Sequence, residues 1–164
     1  IKKCFAKAIS EEEKEKALRL AVVYGVYLKR RSNFAMLAKN GQVQLSELLY
    51  AIRESTDALS FYGAAASVIF EGDGTALIGQ VTFLYEFFED CIESALPDLS
   101  ACLVRLSVNN GLLHCRIALD NARESIPENW RSRECEKLGA SVRLQIQDET
   151  LYATLSFGER EAIV

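Results

Sequence analysis

Four strand-like runs gathered in the second half of the chain constrain the fold more than any other feature. They cover residues 101–108, 112–120, 141–147 and 150–157. Asn110-Gly111 lies between the first two runs, and an Asn-Gly pair between alternating apolar segments is a strong signal for a tight hairpin. Asp148-Glu149 separates the last two runs in the same way. The sequence therefore predicts two hairpins, one after the other.

Helical patterns occupy most of the chain before these hairpins. They predict helices over residues 10–37, 45–62 and from about 77 or 80 to 96, with a strand over residues 65–71. Ser10 and Glu13 have the spacing of a capping box, so they indicate the start of the first helix. Ser46, or the residues before it, is predicted to cap the second helix, which Gly63 ends. Pro97 stops the third helix.

Residues 17–28 in the first helix are apolar on most faces, which predicts burial on more than one side. Strands that follow helices are typical of an α+β fold. We therefore predict a two-layer sandwich, with a mixed sheet covered by helices on one face and a helical hairpin in front of it. The expected division is residues 1–63 for the helical lead-in and 64–164 for the α+β domain.

The overall charge argues against a nucleic-acid partner. The 164 residues include 19 basic and 23 acidic side chains, a net charge of −4, whereas binding to a phosphate backbone calls for a basic stripe. The longest stretch without a charged residue, 58–70, has 13 residues. A membrane-spanning helix needs about 20, so no direct insertion of this segment into a membrane is expected.

The cysteines and the single histidine exclude other classes of site. The five cysteines are scattered with no CxxC pair, which predicts buried, reduced thiols in a cytosolic protein rather than a disulfide framework or a zinc site. His114 lies inside a predicted strand and is interpreted as a structural residue. The chain begins at Ile1 without a Met, so we expect it to be a segment of a longer protein.

Two segments carry a resemblance to a known family. Residues 27–34 read YLKRRSNF and residues 84–96 read LYEFFEDCIESAL. The second segment and the order of the elements make residues 65–157 resemble the ATP-binding domain of the GHKL superfamily, which includes bacterial sensor histidine kinases, and the first segment resembles a helix from those kinases. The preceding helix pair resembles the region in front of that domain in those kinases. The resemblance implies the histidine kinase-like ATPase fold.

The resemblance assigns roles to the third helix. In the family this helix carries an acidic residue, an Asn four residues later, and often a His after another four. Glu89 matches the acidic position and would act as the general base. Glu93 falls at the Asn position, where it would hold Mg²⁺ and the phosphates, and Pro97 replaces the His. The alternative is that Glu89, Asp90 and Glu93 form the solvated face of an amphipathic helix.

The end of the predicted strand over residues 112–120 matches part of the family's Asp-x-Gly-x-Gly motif. Asp120 would accept a hydrogen bond from adenine, with Asn121 and Arg123 beside it as further nucleotide-binding residues. Ala122 and Glu124 stand where the family has glycines. The alternative for Asp120 is a turn residue at a strand end, where Asp is favoured.

A glycine-rich loop normally cradles the phosphates in this family, and this chain lacks one. No glycine occurs between Gly111 and Gly139. Four basic residues in or after this region would instead contact phosphate as point charges, or form an exposed surface: Arg123, Arg131, Arg133 and Lys137.

The resemblance implies phosphoryl transfer from ATP to a histidine, with ATP and Mg²⁺ as cofactors. The implied partners are a response regulator or other signalling protein and a second copy of the chain, in the cytoplasm. The acceptor histidine would lie upstream in the full protein, or would have been lost. The alternative is a non-catalytic, pseudokinase-type module that keeps the fold and uses its helix pair to dimerise or dock a partner. An anti-sigma-type protein kinase is a third possibility, which the leading helices disfavour.

Overall fold

The computed structural model describes residues 10–158 and begins with a long helix, α1 (Glu11–Leu37). The predicted capping box is confirmed: Ser10 Oγ accepts from Glu13 N at 3.1 Å, and Ser10 N donates to Glu13 Oε2 at 2.8 Å. A short 3₁₀ turn follows. Only one side of α1 is buried, through Val23, Tyr27 and Phe34. The expectation of burial on several sides is therefore wrong within this chain.

The second helix, α2 (Leu45–Tyr62), ends at Gly63 as predicted, and Gly63 adopts the positive φ of 121° that glycine tolerates best. Of the predicted caps, Ser46 is wrong, since the helix has already begun at Leu45; the N-cap is Gln44, whose side chain forms no capping hydrogen bond. Just before it, β1 (Gln42–Gln44) pairs antiparallel with β3 (Thr75–Leu77). The third helix, α3 (Ile78–Ala95), follows β3 directly. No helix within residues 10–158 is long and apolar enough to cross a membrane.

Five strands form the main sheet: β2 (Ala65–Glu71), β4 (Ala101–Asn109), β5 (Leu112–Asp120), β6 (Ala140–Gln147) and β7 (Thr150–Phe157). Their order is β2-β4-β5-β7-β6. Strands β2 and β4 are parallel and the other pairs are antiparallel, so the sheet is mixed as predicted. A short helix, α4 (Ser132–Leu138), precedes β6.

Both predicted hairpin turns are confirmed. Asn110 and Gly111 have φ values of 53° and 75°, and Asp148 and Glu149 have 49° and 63°. Positive φ at both central residues is the type I′ geometry, whose twist matches that of the flanking strands. These turns fix the registers of the β4–β5 and β6–β7 pairs.

The core lies between one face of the sheet and the helices. Burial alternates along β4, β5 and β7, so every second residue of these strands is buried. On α3, Leu84, Tyr85, Phe87 and Phe88 are fully buried. This confirms a two-layer α+β fold with helices on one face. The core cluster includes residues of α1, α2, α3 and the sheet, and the division at residues 63 and 64 stays a prediction.

Four of the cysteines are free and buried, as predicted: Cys91, Cys102, Cys115 and Cys135. Burial raises the pKa of Cys102 to about 12. Since the thiolate is the reactive form, this thiol is chemically inert at neutral pH. Cys4 lies outside the described residues.

Candidate functional site

The acidic residues of α3 lie on two sides of the helix. Glu89 and Glu93 are four residues apart and both contact α1. Glu86 and Asp90 have the same spacing, and both contact Arg131, which lies between β5 and α4. Side chains four residues apart on a helix are neighbours, so each pair forms a patch of its own.

Glu89 is almost fully buried, with 3% of its surface exposed. Arg31 of α1 donates to its Oε2 through Nε and Nη2, while Oε1 has no hydrogen-bond partner among the described residues. Burial raises the pKa of the Glu89 carboxyl, and the bond from Arg31 opposes that rise. The solvated-face interpretation is therefore wrong for Glu89, and its role as a general base stays a prediction.

Replacing Glu89 with Gln is expected to reduce the pH dependence of stability. Because the folded state raises the pKa of Glu89 above 4.5, the stability from this group is complete below that pH and falls as pH rises through the raised value. Glu89→Gln keeps an acceptor for Arg31 without the charge. The free energy of unfolding of the variant, measured by thermal unfolding, should therefore rise relative to that of the wild type between pH 4 and pH 8. The relative rise is about 1.4 kcal/mol per unit of pKa shift.

Glu93→Gln is the matched control for this prediction, because Glu93 is exposed. Its unfolding curve should follow that of the wild type across the same pH range. Parallel pH profiles for Glu89→Gln and the wild type would contradict the burial of a titrating carboxyl at Glu89.

Glu93 contacts α1 rather than the segment before α4. Its Oε1 accepts a hydrogen bond from Tyr24 Oη at 3.2 Å. Burial, followed by the negative charge of Glu93, raises the pKa of Tyr24. The sequence-based role of Glu93 in holding Mg²⁺ and phosphate stays a prediction.

Glu86 and Asp90 both form hydrogen bonds to residues just before α4. Arg131 donates through Nη1 to Glu86 Oε2 and through Nη2 to Asp90 Oδ2, the latter at 3.3 Å. Trp130 Nε1 donates to the same Asp90 oxygen at 2.9 Å. One guanidinium therefore pairs with two carboxylates, and an indole N–H occupies a further acceptor position.

The Trp130 ring covers the neighbouring apolar surface of α3. Its centroid lies 5.0 Å from that of Phe83 and 5.3 Å from that of Phe87, and only 6% of Trp130 is exposed. The Arg131 guanidinium lies 5.1 Å from the Trp130 ring. Arg131 adopts φ 41° and ψ 44°, a left-handed conformation that costs a non-glycine residue about 1 kcal/mol or more. This backbone geometry lets both side chains reach α3.

The residues at the end of β5 also have partners within the chain. Asp120 Oδ1 accepts from Thr150 Oγ1 at 2.8 Å, and Asn121 Nδ2 donates to Ser100 Oγ at 2.9 Å. Arg123 lies 3.4 Å from Asp98, and both side chains are exposed. The nucleotide-binding roles of Asp120, Asn121 and Arg123 stay predictions.

The residues present do not fit ATP with Mg²⁺ in this conformation. Mg²⁺ at a nucleotide site is held by one or two carboxylates together with the phosphates, and within residues 10–158 no group of three acidic, Cys or His side chains forms a metal site of the protein alone. Glu86 and Asp90 are already paired with Arg131. Without glycines between Gly111 and Gly139, a flexible backbone cradle for phosphates is also lacking.

The sequence pattern does not single out the pair Glu86 and Asp90. Its spacing of four equals that of Glu89 and Glu93, so spacing alone does not distinguish the pairs. The sequence signal that could have identified this pair is the presence of Phe83 and Phe87 on the same side of the helix. Two aromatic residues beside two acidic residues suit contact with an aromatic residue followed by an arginine, as in Trp130-Arg131.

Comparisons with known proteins found similarity in structure but not in sequence. No protein-family model and no curated protein sequence matches the chain. A bacterial phosphotransferase structure matches with a TM-score of 0.56 at 10% identity, covering 87% of this chain and 90% of that one. The histidine kinase domain of the Erythrobacter litoralis EL346 blue-light-activated histidine kinase matches at 0.55 and 11%, covering 90% and 87%.

The cytoplasmic segment of the histidine kinase QseC also matches, with a TM-score of 0.50 at 12% identity, covering 86% of this chain and 94% of that one. The chain therefore has the fold of the histidine kinase ATP-binding domain, preceded by a helix. At these identities the likeness shows the fold alone.

Proposed function

We propose that this chain is a non-catalytic signalling module built on the histidine kinase ATPase fold. One observation carries the proposal: Arg131 and Trp130 bind Glu86 and Asp90 on the side of α3 that faces the segment after β5. In the resembling family that segment would cover a nucleotide. Here it packs on α3 through a buried indole instead, which supports a regulatory role without nucleotide turnover.

Helix α1 supplies the surface through which such a module acts. An exposed row runs along it with alternating spacings of three and four residues, the period of a coiled-coil seam. The row consists of Leu18, Ala21, Gly25, Leu28, Ser32 and Ala35, all exposed. Leu18 and Leu28 expose 62% and 68% of their surface.

The occupant that we propose for this seam is the α1 helix of a second copy. Most side chains in the row are small or apolar, so two such rows fit each other about a two-fold axis without burying a charge. The proposed homodimer functions in the cytoplasm with a response regulator or another signalling protein.

Ion pairs connect α1 to the rest of the fold, which supports a role in transmission. Lys29 and Arg30 both pair with Glu54 of α2, and Arg31 pairs with Glu89 of α3. A change in how α1 packs in the dimer would therefore alter contacts on both other helices. The arginines of the sequence KRRSN thus act as connectors in this proposal.

An active ATP-binding domain is the second candidate. It is favoured by Asp120 at the end of β5, and by the spacing of Glu86 and Asp90, which equals that of the family's acidic residue and Asn. This candidate requires Trp130 and Arg131 to leave α3 before nucleotide enters. Their combined hydrogen bonds, ion pairs and ring contacts oppose that movement.

A thermal-shift titration with ATP and Mg²⁺ distinguishes the two candidates. The proposal predicts no change in melting temperature up to millimolar ATP, for the wild type and for Asp120→Asn alike. A ligand at 100 times its dissociation constant would add about 2.7 kcal/mol of stability. A saturable rise for the wild type that Asp120→Asn removes would contradict the proposal and establish the ATP-binding candidate.

A further inference from the structure

The sheet face opposite the helices carries a row of arginines. Arg105 of β4 lies directly opposite Arg116 of β5, Arg116 lies opposite Thr154 of β7, and Thr154 lies opposite Arg143 of β6. All three arginines are exposed. Because neighbouring strands are about 4.8 Å apart, this arginine row spans roughly 14 Å across the sheet.

The fold itself gains little from this arrangement. None of the three arginines forms an ion pair with a residue in the range 10–158, and Arg116 only lies over the Tyr152 ring, at 5.0 Å. Like charges directly opposite each other on adjacent strands are destabilising, as at Arg105 and Arg116. The positive row also stands out in a chain with a net charge of −4.

A hollow of about 240 Å³ adjoins the arginine row. It is lined by Leu103, Arg105, Arg116, Ala118 and Tyr152. Its surface combines aliphatic and aromatic side chains with two guanidinium groups. Such a hollow suits an apolar side chain that stands next to a carboxylate.

We propose that this face binds an acidic segment of a partner protein. Carboxylates of the segment pair with Arg105, Arg116 and Arg143, and one apolar side chain enters the adjoining hollow. Guanidinium groups form paired hydrogen bonds with carboxylates, and such pairs relieve the repulsion between Arg105 and Arg116. The surface lies on the side of the sheet away from α1 and α3, so it is separate from the proposed dimer seam.

A protein segment suits this surface better than a nucleic acid. Glu71 and Asp120 are exposed on the same face, on opposite sides of the arginine row along the strand direction. A phosphate backbone extending beyond the row would meet these carboxylates, whereas recognition of nucleic acid calls for an extended basic stripe. A short acidic segment that crosses the strands avoids both.

Fluorescence anisotropy with a labelled peptide tests this proposal. The probe is a short peptide of glutamates interspersed with leucines, and its control has glutamine in place of every glutamate. The glutamate peptide should bind and the glutamine peptide should not, with binding that weakens as salt screens the charges. The triple variant Arg105→Gln, Arg116→Gln, Arg143→Gln should weaken binding by about 10-fold or more.

One control variant and one single-site variant complete the test. Arg53→Gln removes an exposed arginine from α2 and should leave peptide binding unchanged. Arg105→Gln alone should weaken binding while keeping or raising the melting temperature, because it removes a like-charge pair. Equal binding by the triple variant, equal binding of the glutamine peptide, or binding of phosphatidylserine vesicles in place of the peptide would each overturn the proposal.

Discussion

Trp130→Ala is expected to lower the free energy of unfolding by about 3–5 kcal/mol, the usual cost of removing a large buried aromatic side chain. Trp130 packs on Phe83 and Phe87, and its indole N–H bonds Asp90. The substitution removes both kinds of contact and leaves a cavity beside α3. Urea unfolding followed by circular dichroism measures the loss.

Trp130→Phe is the matched control for this substitution. It keeps an aromatic ring against Phe83 and Phe87 but removes the hydrogen bond to Asp90, so the loss should be smaller, about 1–3 kcal/mol. A change below about 1 kcal/mol for Trp130→Ala would show that this side chain does not pack on α3 in solution.

Ala21→Glu is expected to dissociate the proposed dimer. Ala21 lies within the exposed row on α1, and a glutamate there would place a charge in the helix–helix seam of each copy. An unpaired charge buried in an interface costs several kcal/mol. A loss of about 3 kcal/mol of association free energy raises the dissociation constant by more than 100-fold. Analytical ultracentrifugation detects this as a shift from dimer to monomer.

Ala38→Glu makes the same substitution at an exposed position just beyond the end of α1 and outside the row. It should leave the dimer intact. A wild-type protein that sediments as a monomer at about 50 µM, a concentration at which a specific dimer is populated, would contradict the proposed seam.

Local signals predicted most of the fold. The capping box at Ser10 and the turns at Asn110-Gly111 and Asp148-Glu149 each specify a conformation through a few neighbouring residues, and all appear where expected. The β1–β3 ribbon was missed because three-residue strands carry no periodicity of their own. Burial of α1 was overpredicted, because exposed apolar residues such as Leu18 and Leu28 look the same in sequence as core residues.

The partners of the acidic residues on α3 could not be predicted, because they depend on tertiary contacts that the local sequence does not specify. Glu89 and Glu93 differ from Glu86 and Asp90 only by a rotation about the axis of α3, and the packing of α1 and Trp130 decides which pair faces which neighbour. The left-handed backbone of Arg131 is likewise set by tertiary contacts, since nothing in the local sequence requires it.

The fluorescence of Trp130 tests the central claim most directly, because it is the chain's one tryptophan. The claim is that this side chain, with Arg131, closes the surface of α3 on which a nucleotide would act. Emission from the wild type should be that of a buried indole and should stay unchanged as ATP and Mg²⁺ are added to millimolar concentration. A saturable shift of the emission to longer wavelength would show that nucleotide displaces Trp130, and it would contradict the account.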